Sequence, residues 1–160
     1  MIATTKTYKY IHRISRKCQK IVANSNRLGI TCLQLLVADS TELLSTHPEW
    51  EAYFHRILID APCSGLGTLA RHPDARWRMN NNNIQELVDL QSQLLKSLAP
   101  LLQSQGKLVY STCTIHPDEN CNQIKNFLQL NSELLLEYEK QIWPGEATNG
   151  DGFYVSVLTK

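Results

Sequence analysis

Two cysteines, Cys63 and Cys113, each follow a short apolar run and stand among polar or turn-forming neighbours. An isolated cysteine is usually a small buried hydrophobe, and Cys18, Cys32 and Cys121 are interpreted in that way. A thiol at the end of a strand could instead be a nucleophile, part of a redox pair or a zinc ligand. The sequence has no C-x-x-C pair, and His116 is the only histidine close to either thiol, so metal-ligand spacing is lacking.

Two aspartates occupy equivalent positions at the ends of apolar runs. The run LQLLVA (33–38) precedes Asp39, and the run RILI (56–59) precedes Asp60. In an open parallel sheet, ligands bind just beyond the carboxyl ends of the strands. Either aspartate could equally cap a turn or the following helix, and position alone does not separate the two interpretations.

Apolar runs and amphipathic segments alternate along the chain. Near-continuous apolar strands separated by helices indicate an α/β protein with a mostly parallel sheet covered on both faces. The polar run at residues 80–83 is interpreted as a loop. Strands are predicted at Tyr8–Ile11, Leu33–Ala38, Arg56–Ile59, Lys107–Ser111, Leu134–Tyr138 and Phe153–Leu158, and helices at Ile14–Leu28, 84–102 and 117–130.

Length, composition and net charge exclude several classes of protein. The 160 residues suit one domain, and a hydrophobic content of 42% supports a real core. A net charge of +1 excludes nucleic-acid binding by bulk charge alone, and no apolar run is long enough to cross a membrane. The odd count of five cysteines predicts reduced thiols and a cytoplasmic location. Residues 1–38 hold seven basic and no acidic residues, which suits a targeting segment, a phosphate-binding surface or, the favoured interpretation, a solvated helix face.

Three stretches together resemble the RNA cytosine-5 methyltransferases, nearest to the bacterial Sun (Fmu) enzymes that modify small-subunit ribosomal RNA. The combination of DAPCSG with a downstream STC and EN is the specific part, and the similarity extends from about Tyr8 to Lys160. It implies one Rossmann-like S-adenosylmethionine-dependent methyltransferase domain over residues 1–160, incomplete at the N-terminus. The stretches are ILIDAPCSGLGTLARHPDARW (57–77), LVYSTCTIHPDEN (108–120) and GDGFYVSVLTK (150–160).

The resemblance implies S-adenosylmethionine as cofactor and methylation of cytosine carbon 5 through a covalent cysteine–cytosine intermediate. Cys113 matches the nucleophile that adds to carbon 6, and Cys63 matches the cysteine that helps to release the product. Asp60 resembles the acid near the methyl-bearing end of the cofactor, and Asp39 the acid that recognises its adenine end. No metal is implied.

The implied substrate is RNA, single-stranded or opened so that the target base is unstacked. The segment after Cys63 combines positive charge with an aromatic face, so it is a candidate RNA contact or, equally, a plain surface loop. Its residues are Arg71, His72, Arg76, Trp77 and Arg78.

The N-terminal end departs from the family pattern. No glycine precedes Gly29, so the glycine-rich cofactor loop and the first strand before it have no counterpart. His12 falls where the family has an acid for the ribose hydroxyls. We therefore expect an open sheet edge beside the strand at 56–59, or its repair by Tyr8–Ile11 or another segment. A missing N-terminal half is a possible partner.

Three functions remain open at this point: an RNA cytosine-5 methyltransferase or its catalytic portion, a catalytically silent fragment that keeps the fold and weak RNA binding, and a redox or metal protein that uses Cys63 and Cys113.

Overall fold

Strands and helices alternate in the computed structural model, which describes residues 2–3, 7–146 and 150–160, with the side chains of residues 2, 3 and 78 not included. The strands are β1 (Ile2–Ala3), β2 (Tyr8–Ile11), β3 (Leu33–Leu36), β4 (Phe54–Asp60), β5 (Leu102–Thr112), β6 (Leu135–Ile142) and β7 (Phe153–Thr159). The α-helices are α1 (Ser15–Arg27), α2 (Leu43–Thr46), α3 (Ala75–Arg78), α4 (Asn81–Leu98) and α5 (Cys121–Leu130).

The described strands form one sheet in the order β3-β2-β1-β4-β5-β7-β6. The pairs β2/β3 and β4/β5 are parallel, whereas β1 and β7 are antiparallel to each of their neighbours. Strands β2 to β6 therefore share one direction, as the sequence predicted, and only β1 and β7 run against it.

Two helix boundaries differ from the prediction, one because a polar side chain caps the helix and the other because the backbone leaves helical geometry. The run at 80–83 begins α4 instead of forming a loop, since the Asn80 carboxamide oxygen accepts the Asn83 amide N–H at 3.0 Å. The helix predicted from Pro117 is divided into a 3-10 turn at Pro117–Glu119 and α5, because Asn120 leaves helical geometry.

One face of the sheet is deeply buried. Helices α4 and α5 pack Leu95, Leu98 and Ile124 against Ile57 and Leu108 in a single core cluster. The other face is different: α1 lies over its β2–β3 end, but over β4, β5 and β7 the described apolar side chains are half-buried or exposed, as at Leu58, Val109 and Val157. The expectation that helices cover both faces is therefore wrong for this half of the sheet.

A two-residue strand occupies the sheet position next to β4. Ile2 aligns with Lys9 on one side and with Ile57 on the other, and Ala3 aligns with Tyr8 and Arg56. The position beside β4 is thus filled by a segment other than Tyr8–Ile11, which was the second alternative of the prediction. Tyr8–Ile11 lies one position further out.

The exposed side of α1 carries Arg16, Lys17 and Lys20 in solvent, which suits a solvated basic face. Within the described ranges, no helix has the length and apolar character needed to cross a membrane.

Candidate active site

The two strand-end cysteines meet. Strands β4 and β5 are parallel neighbours with Asp60 aligned to Ser111, so the turns that follow them leave the sheet side by side. The Cys63 and Cys113 sulfur atoms lie 3.4 Å apart, within hydrogen-bond distance for thiols, and both side chains are half-buried. Residues 50 positions apart in the sequence thereby form one dithiol site.

The two thiols differ in acidity because one donates a hydrogen bond to the other. The bond from Cys63 lowers the pKa of Cys113 to about 7, although burial and the negative charge of Asp60 oppose the shift. The same bond, followed by burial, raises the pKa of Cys63 well above its ordinary value. Of the two thiols, Cys113 is therefore the one that ionises near neutral pH, while Cys63 keeps its proton.

A buried carboxylate, Glu119, joins the loops that carry the two cysteines. One of its oxygens accepts the Ser64 amide at 2.8 Å and the Gln91 carboxamide at 3.0 Å. The other accepts the Ser64 hydroxyl at 2.5 Å and the Thr114 hydroxyl at 3.2 Å. Because Ser64 follows Cys63 and Thr114 follows Cys113, Glu119 fixes the spacing of the two thiols.

Sequence reasoning missed the roles of Glu119 and Gln91. Glu119 lies within the DEN segment, but nothing in a polar run indicates that its side chain is fully buried. Gln91 offered a signal, since it lies on the apolar face of α4 four residues before Leu95. Its carboxamide nitrogen also donates to the Pro62 carbonyl at 2.8 Å, just before Cys63.

Asn120 and two glycines hold the Cys113 loop from other sides. The Asn120 carboxamide donates to the Thr114 carbonyl at 3.0 Å and to the Gln141 side chain at 2.8 Å. The Gly67 amide donates to the Cys113 carbonyl at 3.0 Å, and a Cβ on Gly67 would clash with the Gly152 backbone. The GDGF segment therefore packs directly on the turn that follows Cys63.

The remaining polar side chains at the carboxyl edge are Asp39, His12 and Asp60. One Asp39 oxygen accepts both the amide and the hydroxyl of Thr41, which lowers the pKa of Asp39, and the other oxygen faces Arg13 at 3.7 Å. In the structure Asp39 therefore stabilises a turn by accepting both hydrogen bonds from Thr41. Asp60 is exposed at the end of β4.

His12 is held as a neutral ring. Its Nδ1 accepts the Ile14 amide at 2.8 Å, so a neutral imidazole carries its proton on Nε2. Burial, Lys17 and Arg13 all lower the pKa of His12. The ring consequently offers one donor toward the carboxyl edge, where a carboxylate would offer acceptors.

The predicted loop after Cys63 is α-helical only at Ala75–Arg78, which form α3, whereas Arg71 and His72 lie before this helix. Trp77 is 84% exposed, and His72 and Arg76 are also exposed. Arg71 forms an ion pair with Asp151, which connects this segment to the GDGF motif. Among the described residues, no group of three or more His, Cys, Asp or Glu side chains could hold a metal ion.

The acidity of Cys113 can be measured directly. Because the thiolate is the reacting form, iodoacetamide labelling of Cys113, followed by peptide mass spectrometry, is expected to rise with a midpoint near pH 7. In Cys63→Ala the hydrogen bond is lost, so the midpoint should move toward the ordinary thiol value of about 9. Cys32→Ala is the matched control and should leave the midpoint unchanged. Faster labelling of Cys63 than of Cys113 at pH 7 would contradict the assignment.

Residues 2–159 of this chain match the protein family described as "16S rRNA methyltransferase RsmB/F". The chain belongs to the RsmB/F family. It is 47% identical over 124 residues to ribosomal RNA small subunit methyltransferase B of Photorhabdus laumondii, covering 71% of this chain and 29% of that protein. It is 40% identical over 159 residues to the probable ribosomal RNA small subunit methyltransferase B of Synechocystis, covering 90% of this chain and 35% of that protein. The chain thus spans about a third of the length of these relatives.

Solved structures share the fold of this RsmB/F chain. The crystal structure of PH0851 superposes with a TM-score of 0.90 at 28% identity, over 96% of this chain and 37% of that one. NSun6 from Pyrococcus horikoshii, solved with SFG, gives a TM-score of 0.83 at 24% identity, over 96% of this chain and 41% of that one. The expected Rossmann-like methyltransferase fold is confirmed, and the match covers the C-terminal part of the catalytic domain.

Proposed function

We propose that this chain forms the cysteine-bearing part of an RNA cytosine-5 methyltransferase that acts on ribosomal RNA. The observation that carries the proposal is the pair of strand-end sulfur atoms 3.4 Å apart, with Cys113 as the more acidic thiol. The relatives named as ribosomal RNA small subunit methyltransferase B support the substrate class. The site residues and the position of methylation are part of the proposal.

Cys113 supplies the nucleophile. Carbon 5 of cytosine reacts poorly until a group adds at carbon 6. The Cys113 thiolate forms a bond to carbon 6, which pushes an electron pair toward carbon 5. S-adenosylmethionine, when bound, supplies the methyl group as an electrophile on its sulfonium. Asp60, exposed beside Cys113, is placed to accept a hydrogen bond from the cytosine amino group.

Cys63 acts in product release. After methylation, carbon 5 carries both a hydrogen and the methyl group. Cys63, after it has lost its own proton to solvent, accepts the carbon-5 proton. The electron pair of the broken C–H bond re-forms the double bond between carbons 5 and 6 and expels the Cys113 thiolate from carbon 6, which restores aromaticity. Once Cys113 is alkylated it no longer holds the Cys63 proton in a charge-assisted bond, and in the free protein the two sulfur atoms are only 3.4 Å apart.

The described residues supply part of a site for S-adenosylmethionine. Asp39 and Asp60 stand at the strand ends where carboxylates could bind the adenine and methyl-bearing ends. His12 does not fit the ribose position, because its free nitrogen is a donor and the two ribose hydroxyls need acceptors. In this chain the ribose end of the cofactor therefore lacks a carboxylate acceptor at the His12 position.

The RNA surface is proposed to include α3 and the turn before it. Trp77 offers an exposed ring on which an unpaired base could stack, and Arg76 and His72 lie beside it. Arg71 keeps much of its surface exposed despite its ion pair with Asp151.

Methyl transfer to ribosomal RNA tests the proposal. The chain, alone and co-expressed with the preceding segment of the Synechocystis relative, is incubated with labelled S-adenosylmethionine and small-subunit ribosomal RNA. Nucleoside digestion followed by chromatography is expected to give labelled 5-methylcytidine in the co-expressed sample. Label on another nucleoside, or no label in either sample, would overturn the proposed function.

A further inference from the structure

The two sulfur atoms of the dithiol site lie close enough to bond to each other after a small movement. Cys63 and Cys113 are free thiols whose sulfur atoms are 3.4 Å apart, and both side chains are half-buried. A disulfide bond joins sulfur atoms at about 2.05 Å, so bonding requires an approach of about 1.4 Å. Rotation about a Cα–Cβ bond between staggered positions moves a sulfur atom by more than this distance.

The surrounding hydrogen bonds hold the two cysteine-bearing turns against each other. Glu119 accepts hydrogen bonds from Ser64 on one turn and from Thr114 on the other. The Gly67 amide also donates to the Cys113 carbonyl at 3.0 Å, which joins the turns that follow β4 and β5 a second time. Because the turns are fixed, the two thiols have a high effective concentration toward each other.

The unequal acidity of the pair suits an oxidation in two steps. Thiolates react with peroxides, and cysteines that sense oxidants combine an accessible, acidic thiol with a second thiol beside it. Cys113 is the thiol that ionises near neutral pH, because its pKa is lowered to about 7. Cys63 keeps a proton, since its pKa is raised, and the leaving group of the second step requires that proton.

We propose that Cys63 and Cys113 form a reversible oxidation site, at which a hydroperoxide converts the dithiol into a disulfide. In the first step the Cys113 sulfur attacks one peroxide oxygen and the O–O bond breaks. Cys113 becomes a sulfenic acid, and the other oxygen takes a proton from solvent and leaves as an alcohol, or as water when the oxidant is hydrogen peroxide. In the second step the Cys63 sulfur attacks the Cys113 sulfur, the S–O bond breaks, and the hydroxide leaves as water with the Cys63 proton. The two sulfur atoms together lose two electrons, which the peroxide oxygens gain.

The disulfide removes the nucleophile. A sulfur atom in an S–S bond has no thiolate to add to carbon 6, and the same bond occupies Cys63. The bond also protects Cys113, because the sulfenic acid is consumed before a second peroxide can convert it into the irreversible sulfinic acid. A small dithiol restores both thiols by exchange. The loss of methyl transfer rests on the proposed function, whereas formation of the bond rests on the positions of the sulfur atoms.

Peptide mass spectrometry tests the bond. The folded chain is treated with hydrogen peroxide, its free thiols are blocked, and it is digested with trypsin without reduction. Cys63 then lies in the peptide 57–71 and Cys113 in the peptide 108–125. The linked pair of peptides is expected to be the main oxidised product and to disappear after treatment with dithiothreitol. Conversion of Cys113 to sulfinic acid without any linked pair would overturn the proposal.

Matched variants identify the sulfur atoms that are joined. Peptide 108–125 also contains Cys121, which is exposed and lies outside the dithiol site. Cys121→Ala should therefore keep the linked pair, whereas Cys63→Ala and Cys113→Ala should lose it. In Cys63→Ala the Cys113 sulfenic acid lacks its partner, so it should accumulate and be trapped by dimedone. A linked pair that depends on Cys121 would refute the assignment.

The denatured chain is the control for chance encounters between thiols. In concentrated urea the turns are no longer fixed, so peroxide should give a mixture of links that includes Cys18 and Cys32. In the folded chain the link between Cys63 and Cys113 should exceed every other link by at least about tenfold. The same mixture from both samples would show that the fold does not pair the two thiols, contrary to the proposal.

Methyl transfer separates this proposal from the proposed function. The co-expressed sample described above is expected to lose methyl transfer after peroxide treatment and to regain it after dithiothreitol. If that sample never methylates RNA, the proposed function fails, and the linked peptides still decide whether the oxidation site exists. Full methyl transfer by a sample in which the linked pair has formed would refute the conclusion that the bond removes the nucleophile.

Discussion

Cys113→Ala is expected to abolish methyl transfer to RNA, whereas Cys63→Ala is expected to leave the RNA covalently attached to the protein. Without the Cys113 sulfur no bond to carbon 6 can form, and the rate should fall by at least about 1,000-fold. Without Cys63 the addition still occurs, because the Cys113 sulfur is still present to attack carbon 6, but elimination lacks the neighbouring thiol.

The hydrogen bond between the thiols adds a quantitative expectation. Loss of the Cys63 donor raises the pKa of Cys113, so less thiolate is present at neutral pH. The adduct in Cys63→Ala should therefore form slowly at pH 7 and faster at pH 9. The double variant should form no adduct at any pH.

A denaturing gel of the co-expressed complex with labelled RNA measures the adduct. Ribonuclease digestion should leave a labelled band at the mass of this chain in Cys63→Ala only. Cys32→Ala, which changes an exposed cysteine outside the site, is the control and should behave as the unmodified chain. A labelled band in Cys113→Ala with none in Cys63→Ala would reverse the two roles.

The local elements were predictable because their apolar runs are continuous and end at polar turns. Strand β2 was predicted at its observed bounds, Tyr8–Ile11, and α1 to within a residue at each end. That Cys63 and Cys113 come together follows from the parallel pairing of β4 and β5. The strand propensity of the residues does not determine that β4 pairs with β5. The positions of the two cysteines at strand ends and the family motifs predicted that they would come together.

The pairing of Ile2–Ala3 between β2 and β4 was not predictable in detail. Nothing in the types of Ile2 and Ala3 distinguishes them from the start of any chain, and two residues give no periodicity. Their place depends on backbone groups of β2 and β4 that are brought together by the rest of the sheet. Tertiary structure alone determines such a segment.

The difference in burial between the two faces of the sheet was not predicted, for a related reason. The run RILI, like KLVYS, is apolar at nearly every position, which is typical of strands buried on both sides. Ile57 and Ile59 are buried as expected, but Leu58 between them is 38% exposed. The apolar run is typical of a strand covered by helices on both faces, but only the structure shows which face the helices cover.

Glu119→Ala is expected to be strongly destabilising, by about 3–5 kcal/mol. The Ser64 amide and the Gln91 carboxamide are obligatory donors, and both would remain buried without an acceptor. The two hydroxyls that share the other oxygen can rotate to new partners and contribute less. Urea denaturation of the chain at pH 7 measures the loss as a lower midpoint at unchanged slope.

Glu119→Gln is the matched variant, because it preserves the shape and one acceptor. Its carbonyl oxygen can face Ser64 N–H and Gln91, while its NH₂ group can donate to the hydroxyls of Ser64 and Thr114, which accept as well as donate. We expect Glu119→Gln to lose only about 1 kcal/mol and to keep the fast iodoacetamide labelling of Cys113 at pH 7. Equal destabilisation by Ala and Gln would show that the charge of Glu119, rather than its acceptors, holds the two cysteine loops together.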